Sequence, residues 1–322
     1  MPYNCGFFQA LMQVLRGIPE RAAQPSVLTI GNFDGVHRGH QALLEMLVQK
    51  ACACAAAATV LTFEPHPREY FSPQNAPARL ASLRDKLLQL SQNGVDRVHV
   101  CRFNAAFAGL SAERFIEDVL VRGLDVRHLI IGDDFRFGAK RQGDFALLQQ
   151  AGARLGFGVE AMPTLADGAV RVSSSAVRDA LAAGELDRAA ALLGRPYSIA
   201  GRVVSGRRLG RSIGYPTANI VLRHSRPALS GVFAVKVEGL GEGCIAGVAN
   251  LGSRPTVGGD KPNLEVHLLD WQGDCYGAHL RVHFLHKLRD EARYDSLEAL
   301  TRQIRRDEDA ARAWFARNPI QD

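Results

Sequence analysis

The sequence has few of the features that mark membrane, secreted or fibrous proteins. Only 7% of its 322 residues are aromatic, and its six cysteines form no framework of short spacings, which excludes a disulfide-stabilised scaffold. The most apolar stretch, residues 51–61, is too short and too rich in alanine to span a membrane. The N-terminus has no basic stretch followed by an apolar core, so we expect no secretory signal. These absences predict a cytoplasmic protein that does not act at a membrane.

Length and composition predict two globular domains. The chain has about twice the usual length of a single domain, and its 47% hydrophobic and 22% charged residues exclude a disordered, collagen-like or coiled-coil protein. The net charge of +6 is uneven: residues 1–188 carry 20 basic and 19 acidic side chains, and residues 189–322 carry 19 and 14. This modest excess favours a nucleotide ligand over a nucleic-acid partner. The sequence leaves the oligomeric state open.

Residues 1–188 alternate between strand-like and helix-like segments. Short apolar strands separated by helices of 10–18 residues are typical of a parallel sheet with helices on both faces, which is an α/β domain. Ligands of such domains bind beyond the carboxyl ends of the strands. The expected strands are 26–30, 59–63, 97–101 and 128–131, and the expected helices are 39–57, 83–92, 112–121, 142–155 and 177–193.

Residues 189–322 have a different pattern, which begins near Gly194–Pro196. Strands separated by turn residues and followed by one helix predict a small antiparallel β-barrel with a terminal helix. The helix is expected over 296–318, where apolar residues line one face. The expected strands are 198–204, 231–237, 244–249, 264–269 and 280–285.

A histidine pair follows the first of these α/β strands. Residues 29–40 read TIGNFDGVHRGH, so a glycine-rich turn leads into a helix whose free N–H groups attract phosphate. His37 and His40 are three residues apart and can face one bound phosphate. Their imidazoles could stabilise charge on a phosphorus under attack. The alternative is a turn with two solvated histidines, which the position after a parallel strand makes the weaker interpretation.

Two further turns contain groups that bind phosphate. Residues 132–138 read GDDFRFG and follow the fourth strand, at the same sheet edge as the histidines. Residues 171–178 read RVSSSAVR, a serine-capped helix start with two arginines. An ordinary N-cap would explain the serines alone, but three such turns together indicate a nucleotide site.

The second domain opens with a glycine-rich segment. Residues 201–219 read GRVVSGRRLGRSIGYPTAN, whose backbone N–H groups could cover phosphates although no Walker A pattern is present. Pro216 stiffens the turn and presents Thr217 and Asn219 on one side. Their neutral oxygens suit Mg²⁺ whose charge is balanced by ATP phosphates. The alternative is a glycine-rich hairpin without a ligand.

These motifs, in this order, resemble those of the bifunctional bacterial FAD synthetase family, in which riboflavin kinase is joined to FMN adenylyltransferase. The resemblance implies a Rossmann-like nucleotidyltransferase domain at 1–188 and a riboflavin kinase barrel at 189–322. It implies catalysis of adenylyl transfer by His37 and His40. The nucleotide-binding residues implied there are Gly31, Phe33, Asp34, Gly35, Gly39, Gly132, Asp134, Arg171, Ser174, Ser175 and Arg178.

For the barrel, the resemblance implies that Glu265 takes the proton from the ribityl 5′-hydroxyl of riboflavin. The sequence alone leaves open whether Glu265 faces the barrel interior or the solvent. Arg289, in the segment FLHKLRDE, is the implied flavin contact. The implied nucleotide-binding residues of this domain are Gly201, Gly206, Gly210, Gly214, Thr217 and Asn219.

The predicted function is therefore the conversion of riboflavin to FMN and of FMN to FAD, with ATP as co-substrate of both steps and Mg²⁺ as cofactor. The nearest enzymatic alternative is another adenylyltransferase with an unrelated barrel, for example one acting on phosphopantetheine. The segment GYPTAN argues against it. An RNA-binding module is the alternative from another class, but its barrel would have few aromatic residues for base stacking.

Overall fold

The computed structural model describes residues 11–132, 134–163, 165–167, 170–205, 214–222, 226–256 and 259–320. Its contacts divide the chain into two compact units. The first contains Met1–Pro77 and Lys86–Val172, and the second contains Ala78–Asp85 and Ser173–Asp322. Among the described residues, no helix combines the length and the apolar character that crossing a membrane requires.

The first unit is built on a parallel sheet, as the sequence predicted, but the sheet has six strands rather than the four that were expected. Each residue pairing between neighbouring strands is parallel, and the strand order is β1-β4-β3-β2-β5-β6. A separate two-stranded hairpin follows the sheet. The sheet strands are β1 (Gln13–Arg16), β2 (Ser26–Ile30), β3 (Ala57–Glu64), β4 (Arg97–Arg102), β5 (Val126–Gly132) and β6 (Gly158–Met162), and the hairpin strands are β7 (Ala166–Asp167) and β8 (Val170–Arg171).

Helices cover both faces of this sheet because successive strand residues point to opposite sides. Leu28 and Leu129 belong to one core with the helical segment Phe115–Gly123, which has π-helical hydrogen bonding. Val27 and Ile130, each one residue away, belong to the other core, with Leu44. The α-helices of this part of the chain are α1 (Arg38–Ala53), α2 (Pro67–Phe71), α3 (Leu83–Gln92), α4 (Ala105–Ala108), α5 (Ala112–Arg114) and α6 (Phe145–Leu155).

The second unit is a closed six-stranded antiparallel barrel with helices outside it, which confirms the predicted barrel and terminal helix. The strand order around the barrel is β10-β13-β12-β11-β14-β9, and β9 pairs with β10 to close it. Buried aliphatic and aromatic residues such as Val235, Leu264 and Phe284 fill the interior. Its strands are β9 (Ser198–Val204), β10 (Ala218–Ile220), β11 (Gly231–Glu238), β12 (Ile245–Thr256), β13 (Gly259–Leu268) and β14 (His279–Arg289).

Among the described residues, three helices accompany the barrel. The last of them, α9 (Leu297–Arg317), packs against β11, β12 and β14. The prediction of a single helix over 177–193 is wrong. The structure has two helices there, α7 (Ser174–Ala182) and α8 (Leu186–Leu193). Gly184 lies between them with a φ of +76°, a left-handed conformation that ends the first helix. The strands β1, β6, β7, β8 and β10 were not predicted, because each is short and only partly apolar.

Candidate active sites

The two histidines of the first motif begin helix α1. His37 is its N-cap, and its Nδ1 accepts a hydrogen bond from the backbone N–H of His40 at 3.3 Å. The two rings are stacked, with centroids 3.6 Å apart and an interplanar angle of 20°. Since Nδ1 of His37 accepts this bond, Nε2 is the ring nitrogen that remains available to donate to a ligand. The predicted pair is therefore one stacked unit at the carboxyl end of β2.

The turn that leads to the pair has an unusual backbone. Phe33 and Val36 have φ values of +48° and +38°, and Gly35 between them has +81°. A positive φ at a β-branched residue is rare and costs on the order of 1–3 kcal/mol, so such conformations persist only where packing holds them. The side chains of Phe33 and Val36 are buried, which supplies that packing. Strained backbone of this kind clusters at binding and catalytic sites.

At two of the predicted glycines of this turn, neighbouring atoms lie close to the position that a Cβ would occupy. A Cβ at Gly39 would lie 3.2 Å from the His37 ring and 3.3 Å from the carbonyl oxygen of Val172. A Cβ at Gly31 would lie 3.1 Å from the Phe33 ring. A larger residue at either position would therefore displace an aromatic ring of the turn.

The surroundings of His40 disfavour its charged form. Burial, together with the neighbouring His37 and the positive charge of Lys86, holds the pKa of His40 well below its usual value. Its Nδ1 and the Oδ1 of Asn32 are buried atoms without a hydrogen-bond partner among the described residues. Buried polar atoms are normally paired, so unpaired ones at a strand end are the groups that a ligand would satisfy.

Lys86 is a residue that the sequence reasoning missed. It lies in α3 and is only 6% exposed, and its Nζ donates to Oγ1 of Thr62 at 3.4 Å. Thr62 Oγ1 in turn donates to the carbonyl oxygen of Asn32, also at 3.4 Å. The available signal was helical spacing, since Lys86 lies four residues before the buried Leu90 and shares its face.

The second predicted turn begins at the same sheet edge. Strands β2 and β5 are paired in parallel, so the turns that follow them leave from one side. Nη2 of Arg171 donates to Oδ2 of Asp134 at 3.3 Å, and both side chains are exposed. A Cβ at Gly132 would lie 3.0 Å from Oδ1 of the Asp134 carboxylate. The structure thus brings together three predicted residues from two separate motifs.

The serine-rich segment forms the start of α7. Ser173 is the N-cap, accepting the backbone N–H of Ala176 at 3.2 Å, while Ser174 and Ser175 occupy the first turn. Nε of Arg178 donates to the carbonyl oxygen of Ala78 at 2.6 Å. These residues belong to the second compact unit, whereas Arg171 belongs to the first. Nucleotide binding by Ser174, Ser175 and Arg178 stays a prediction.

In the barrel, Glu265, the predicted base, lies directly opposite Asn219, which is predicted to hold Mg²⁺. Asn219 of β10 is the register partner of Glu265 of β13, which places their Cβ atoms about 4.5–5.5 Å apart. Leu264 and Val266, the neighbours of Glu265, are fully buried in the barrel interior. Because side chains alternate along a strand, Glu265 and Asn219 lie on the outer face of the barrel. Glu265 therefore faces away from the barrel interior, which the sequence alone had left open.

The segment before β10 is anchored beside this pair. The carbonyl oxygen of Pro216 lies 2.9 Å from Nδ1 of His267, and the Tyr215 ring contacts the His267 ring edge-to-face at 5.4 Å. The Asn219 amide donates to the carbonyl oxygen of Thr217 at 3.5 Å. These contacts hold Thr217 at the start of the strand that carries Asn219.

The sequence reasoning missed two polar neighbours of Glu265. Nδ2 of Asn263 donates to Oε1 of Glu265 at 2.9 Å and fixes one carboxylate oxygen. Asn250 of β12 is the register partner of Glu265 on its other side. Both could have been found by the same alternation that placed Glu265, since Asn263 is two residues away on the same strand face.

The predicted glycines of the kinase motif have different structural reasons. A Cβ at Gly201 would lie 2.6 Å from the carbonyl oxygen of Val221, so this glycine allows close approach of two barrel segments. Gly214 has a φ of +84° with open space around it, which is a turn requirement. Gly206 and Gly210 lie outside the described residues. Nucleotide contacts by these four glycines stay predictions.

Arg289, the predicted flavin contact, binds the terminal helix. Its Nε and Nη2 donate to the two carboxylate oxygens of Asp307 in α9, at 2.8 and 2.7 Å. Nη1 donates to the carbonyl oxygen of Asp290 at 2.9 Å. The Asp307 carboxylate raises the pKa of Arg289, as expected for a bidentate pair. All three guanidinium nitrogens thus make protein contacts, and the flavin contact stays a prediction.

The oxygen atoms near Glu265 match the chemistry of a hard cation. Mg²⁺ prefers carboxylate, amide and hydroxyl oxygens and takes most of its remaining ligands from water and phosphates. Thr217, Asn219 and Glu265 supply such oxygens on neighbouring strand positions. Within the described part of the chain, no cluster of three or more His, Cys, Asp or Glu side chains could hold a metal ion. The donor set fits Mg²⁺ bound together with ATP.

Comparison with known proteins identifies two families along the chain. A family model described as FAD synthetase matches residues 20–176, and one described as riboflavin kinase matches residues 193–315. The curated "Bifunctional riboflavin kinase/FMN adenylyltransferase" of Escherichia coli K12 is 52% identical over 94% of this chain and 98% of its own. The protein of the same name from Pseudomonas fluorescens is 51% identical over 95% of this chain and 98% of its own.

A solved structure has the same fold. The crystal structure described as a macrolide-efflux protein from Streptococcus pneumoniae matches with a TM-score of 0.79 and 27% identity, covering 94% of this chain and 100% of that one. The family models and the full-length relatives agree with each other. The chain therefore belongs to the family of bifunctional riboflavin kinase/FMN adenylyltransferases, enzymes that make FMN from riboflavin and FAD from FMN with ATP.

Proposed function

We propose that FMN is adenylylated at the turn 31–40 and that riboflavin is phosphorylated on the outer face of the barrel, beside Glu265. The observation that supports this assignment is that the residues of each motif meet in space. His37 stacks on His40, and Asn219 stands opposite Glu265. Each group is made of residues that an in-line displacement at phosphorus requires.

At the adenylyltransferase site, a phosphate oxygen of FMN attacks the α-phosphorus of ATP, and the bond to pyrophosphate breaks. The backbone N–H groups at the start of α1 donate hydrogen bonds to phosphate oxygens. His37 and His40 donate hydrogen bonds to the charge that develops on these oxygens. Asp134 and Arg171 belong to the same sheet edge and are assigned to nucleotide binding. No covalent enzyme intermediate is needed.

At the kinase site, the ribityl 5′-hydroxyl of riboflavin attacks the γ-phosphorus of ATP, and ADP leaves. Glu265 accepts the proton of the hydroxyl as the O–P bond forms. Asn263 holds one oxygen of this carboxylate in place through the 2.9 Å hydrogen bond. Thr217 and Asn219 would hold Mg²⁺ next to the ATP phosphates, where the ion supplies charge neutralisation and orientation.

Four further assignments complete the proposal. Residues 1–188 form the adenylyltransferase domain and residues 189–322 the kinase domain. The ligands are nucleotides and flavins, with no nucleic-acid partner. The expected cytoplasmic location stays a prediction.

The two site assignments are tested with variants of the full-length chain. The protein is incubated with riboflavin, ATP and Mg²⁺, and the flavins are separated by chromatography. In a second reaction FMN replaces riboflavin. Thr217→Ala and Asn219→Ala should weaken ATP use in FMN formation and leave FAD formation from supplied FMN unchanged. Loss of FAD formation with intact FMN formation would overturn the assignment of these residues.

A further inference from the structure

The pairing between β10 and β13 begins just after Thr217. β10 starts at Ala218, whose register partner on β13 is Val266. Continued by one position, this register would place Thr217 opposite His267. The residue before Thr217 is Pro216, which has no backbone N–H to donate to a neighbouring strand. The orientation of Thr217 therefore depends on contacts other than a strand ladder.

A side chain of β13 supplies such a contact. Nδ1 of His267 lies 2.9 Å from the carbonyl oxygen of Pro216, and because this oxygen can only accept, Nδ1 carries the proton and donates the hydrogen bond. The Tyr215 ring meets the imidazole edge-to-face, with centroids 5.4 Å apart. The carbonyl group of Pro216 belongs to the same planar peptide unit as the backbone nitrogen of Thr217. Fixing this carbonyl therefore also fixes the direction in which the chain enters Thr217.

His267 and Glu265 are two residues apart on β13, so both lie on its outer face, about 6–7 Å apart along the strand. Val266 and Leu268 point the other way and are buried in the barrel interior, which holds the strand in place. One strand thus carries both the proposed base and the side chain that holds the segment before Thr217. The spacing between the base and the metal-side residue is consequently set by β13. Phosphoryl transfer depends on such positioning.

The competing explanation is that His267 only stabilises the barrel surface. Asp270, three residues further along the chain, interacts electrostatically with His267. Its two carboxylate oxygens accept hydrogen bonds from Arg312 of α9 at 2.7 and 2.8 Å. This carboxylate is therefore held by the terminal helix, and the contact that His267 makes toward the proposed site is the one with Pro216. The two explanations differ in whether loss of that contact changes the use of Mg²⁺.

We propose that His267 is a positioning residue of the kinase site, which orients Thr217 for Mg²⁺ through its hydrogen bond to Pro216. This inference rests on the proposed placement of riboflavin phosphorylation beside Glu265. Mg²⁺ requires a near-ideal octahedral arrangement, so its ligands tolerate little displacement. A group that orients a metal ligand contributes about 10- to 100-fold to metal affinity or activity. His267 therefore acts on the use of Mg²⁺ and ATP and leaves riboflavin binding to other residues.

The test separates the hydrogen bond from the ring contact. His267→Phe keeps a ring beside Tyr215 and removes the donor. His267→Asn keeps an N–H at about the position of Nδ1, and His267→Gln places its N–H one bond further from the backbone. In His267→Phe the Mg²⁺ concentration for half-maximal FMN formation should rise about 10-fold, together with the KM for ATP. The KM for riboflavin should stay within about twofold, and His267→Asn should recover more of the loss than His267→Gln.

The matched control is His279→Phe, because His279 is exposed at the start of β14 of the same barrel. It should leave the Mg²⁺ dependence and both KM values unchanged. If His267→Phe lowers thermal stability but keeps the wild-type dependence on Mg²⁺ and ATP, His267 has only a structural role and the proposal is wrong. If the wild-type protein forms no FMN, the proposed kinase function fails instead.

A second measurement needs neither Mg²⁺ nor turnover. Exchange of backbone amide hydrogens with deuterium is followed by mass spectrometry in peptides covering residues 214–220 of the metal-free protein. His267→Phe should speed this exchange about 2- to 10-fold, the effect of losing one hydrogen bond, and His267→Asn should restore it. Equal exchange in the wild-type protein and in His267→Phe would contradict the positioning role.

A third measurement covers the case in which His267→Phe does not fold. The wild-type chain has ten histidines, whose ring nitrogens are observed by NMR after 15N labelling, and His267→Asn identifies the signals of His267. Nδ1 should be the protonated nitrogen of the neutral ring, and addition of Mg²⁺ and ADP should shift its signal. A proton on Nε2 alone, or an unshifted signal at saturating Mg²⁺ and ADP, would overturn the proposal.

Discussion

Replacing Glu265 with glutamine separates a catalytic base from an ordinary strand residue. The substitution keeps the shape of the side chain and removes its ability to accept a proton. In the structure, Asn263 donates to Oε1 of Glu265 at 2.9 Å, so the amide oxygen of the glutamine should take that position. Its NH₂ group would then stand where the second carboxylate oxygen was. An NH₂ group donates hydrogen bonds and cannot receive the proton of the riboflavin hydroxyl.

The expected effect is therefore the full contribution of a general base. Such a base contributes about 100- to 10,000-fold to the rate, which corresponds to roughly 2.7–5.4 kcal/mol of activation free energy. Turnover of riboflavin phosphorylation in Glu265→Gln should fall by that factor. The KM for ATP should stay within about twofold, because the predicted metal-side residues are retained. Turnover and KM are measured from initial rates of FMN formation, with riboflavin and ATP varied separately.

Glu242→Gln is the matched control, because Glu242 is exposed in the turn between β11 and β12 of the same barrel. It should leave turnover unchanged. Both variants should form FAD from supplied FMN at the wild-type rate. If Glu265→Gln keeps near wild-type turnover, Glu265 is a structural residue of the outer barrel face, and another group must accept the proton.

Three further outcomes are expected. His40→Ala should slow FAD formation from FMN by about 100-fold and leave FMN formation intact, since it removes one donor to the developing charge; equal losses would indicate misfolding. Arg289→Ala should lower the free energy of unfolding by about 3 kcal/mol, measured with urea, because it leaves the buried Asp307 carboxylate without its charge partner; a change below about 0.5 kcal/mol would contradict the structural role. The fragment 189–322 should form FMN but no FAD, and the fragment 173–322, which retains α7 and α8, should be the more stable; an inactive, folded 173–322 would refute the kinase assignment.

The fold class followed from the sequence because periodicity reports burial directly. Ser26–Ile30 is rich in apolar residues and forms a strand buried on both faces, which is typical of a central strand in a parallel sheet. The alternation in 264–269 likewise predicted a strand with one face in the barrel core. The break between two successive helices was harder to predict. The apolar spacing of 177–193 suits one helix, and the break at Gly184 depends on a single residue in the left-handed conformation.

The candidate sites were recognisable because their residue types are rare in combination. His37, His40, Asn219 and Glu265 were all named from the sequence, and the structure places them in two pairs. Lys86 was not named, because a lysine in an amphipathic helix is usually solvated. Its 6% exposure and its hydrogen bond to Thr62 show that this one is buried against the sheet.

The sequence by itself determined the two architectures and named most residues of the two candidate sites, since local patterns and motif chemistry are contained in consecutive positions. Only the tertiary structure decided which face of β13 carries Glu265, which partner Arg289 takes and that a buried ammonium adjoins the histidine turn. These features depend on strand register and on contacts between residues far apart in the chain, such as Arg289 with Asp307 and Lys86 with Thr62. A periodic pattern specifies which positions alternate, but the face that becomes interior is fixed only when the barrel closes around its apolar side chains.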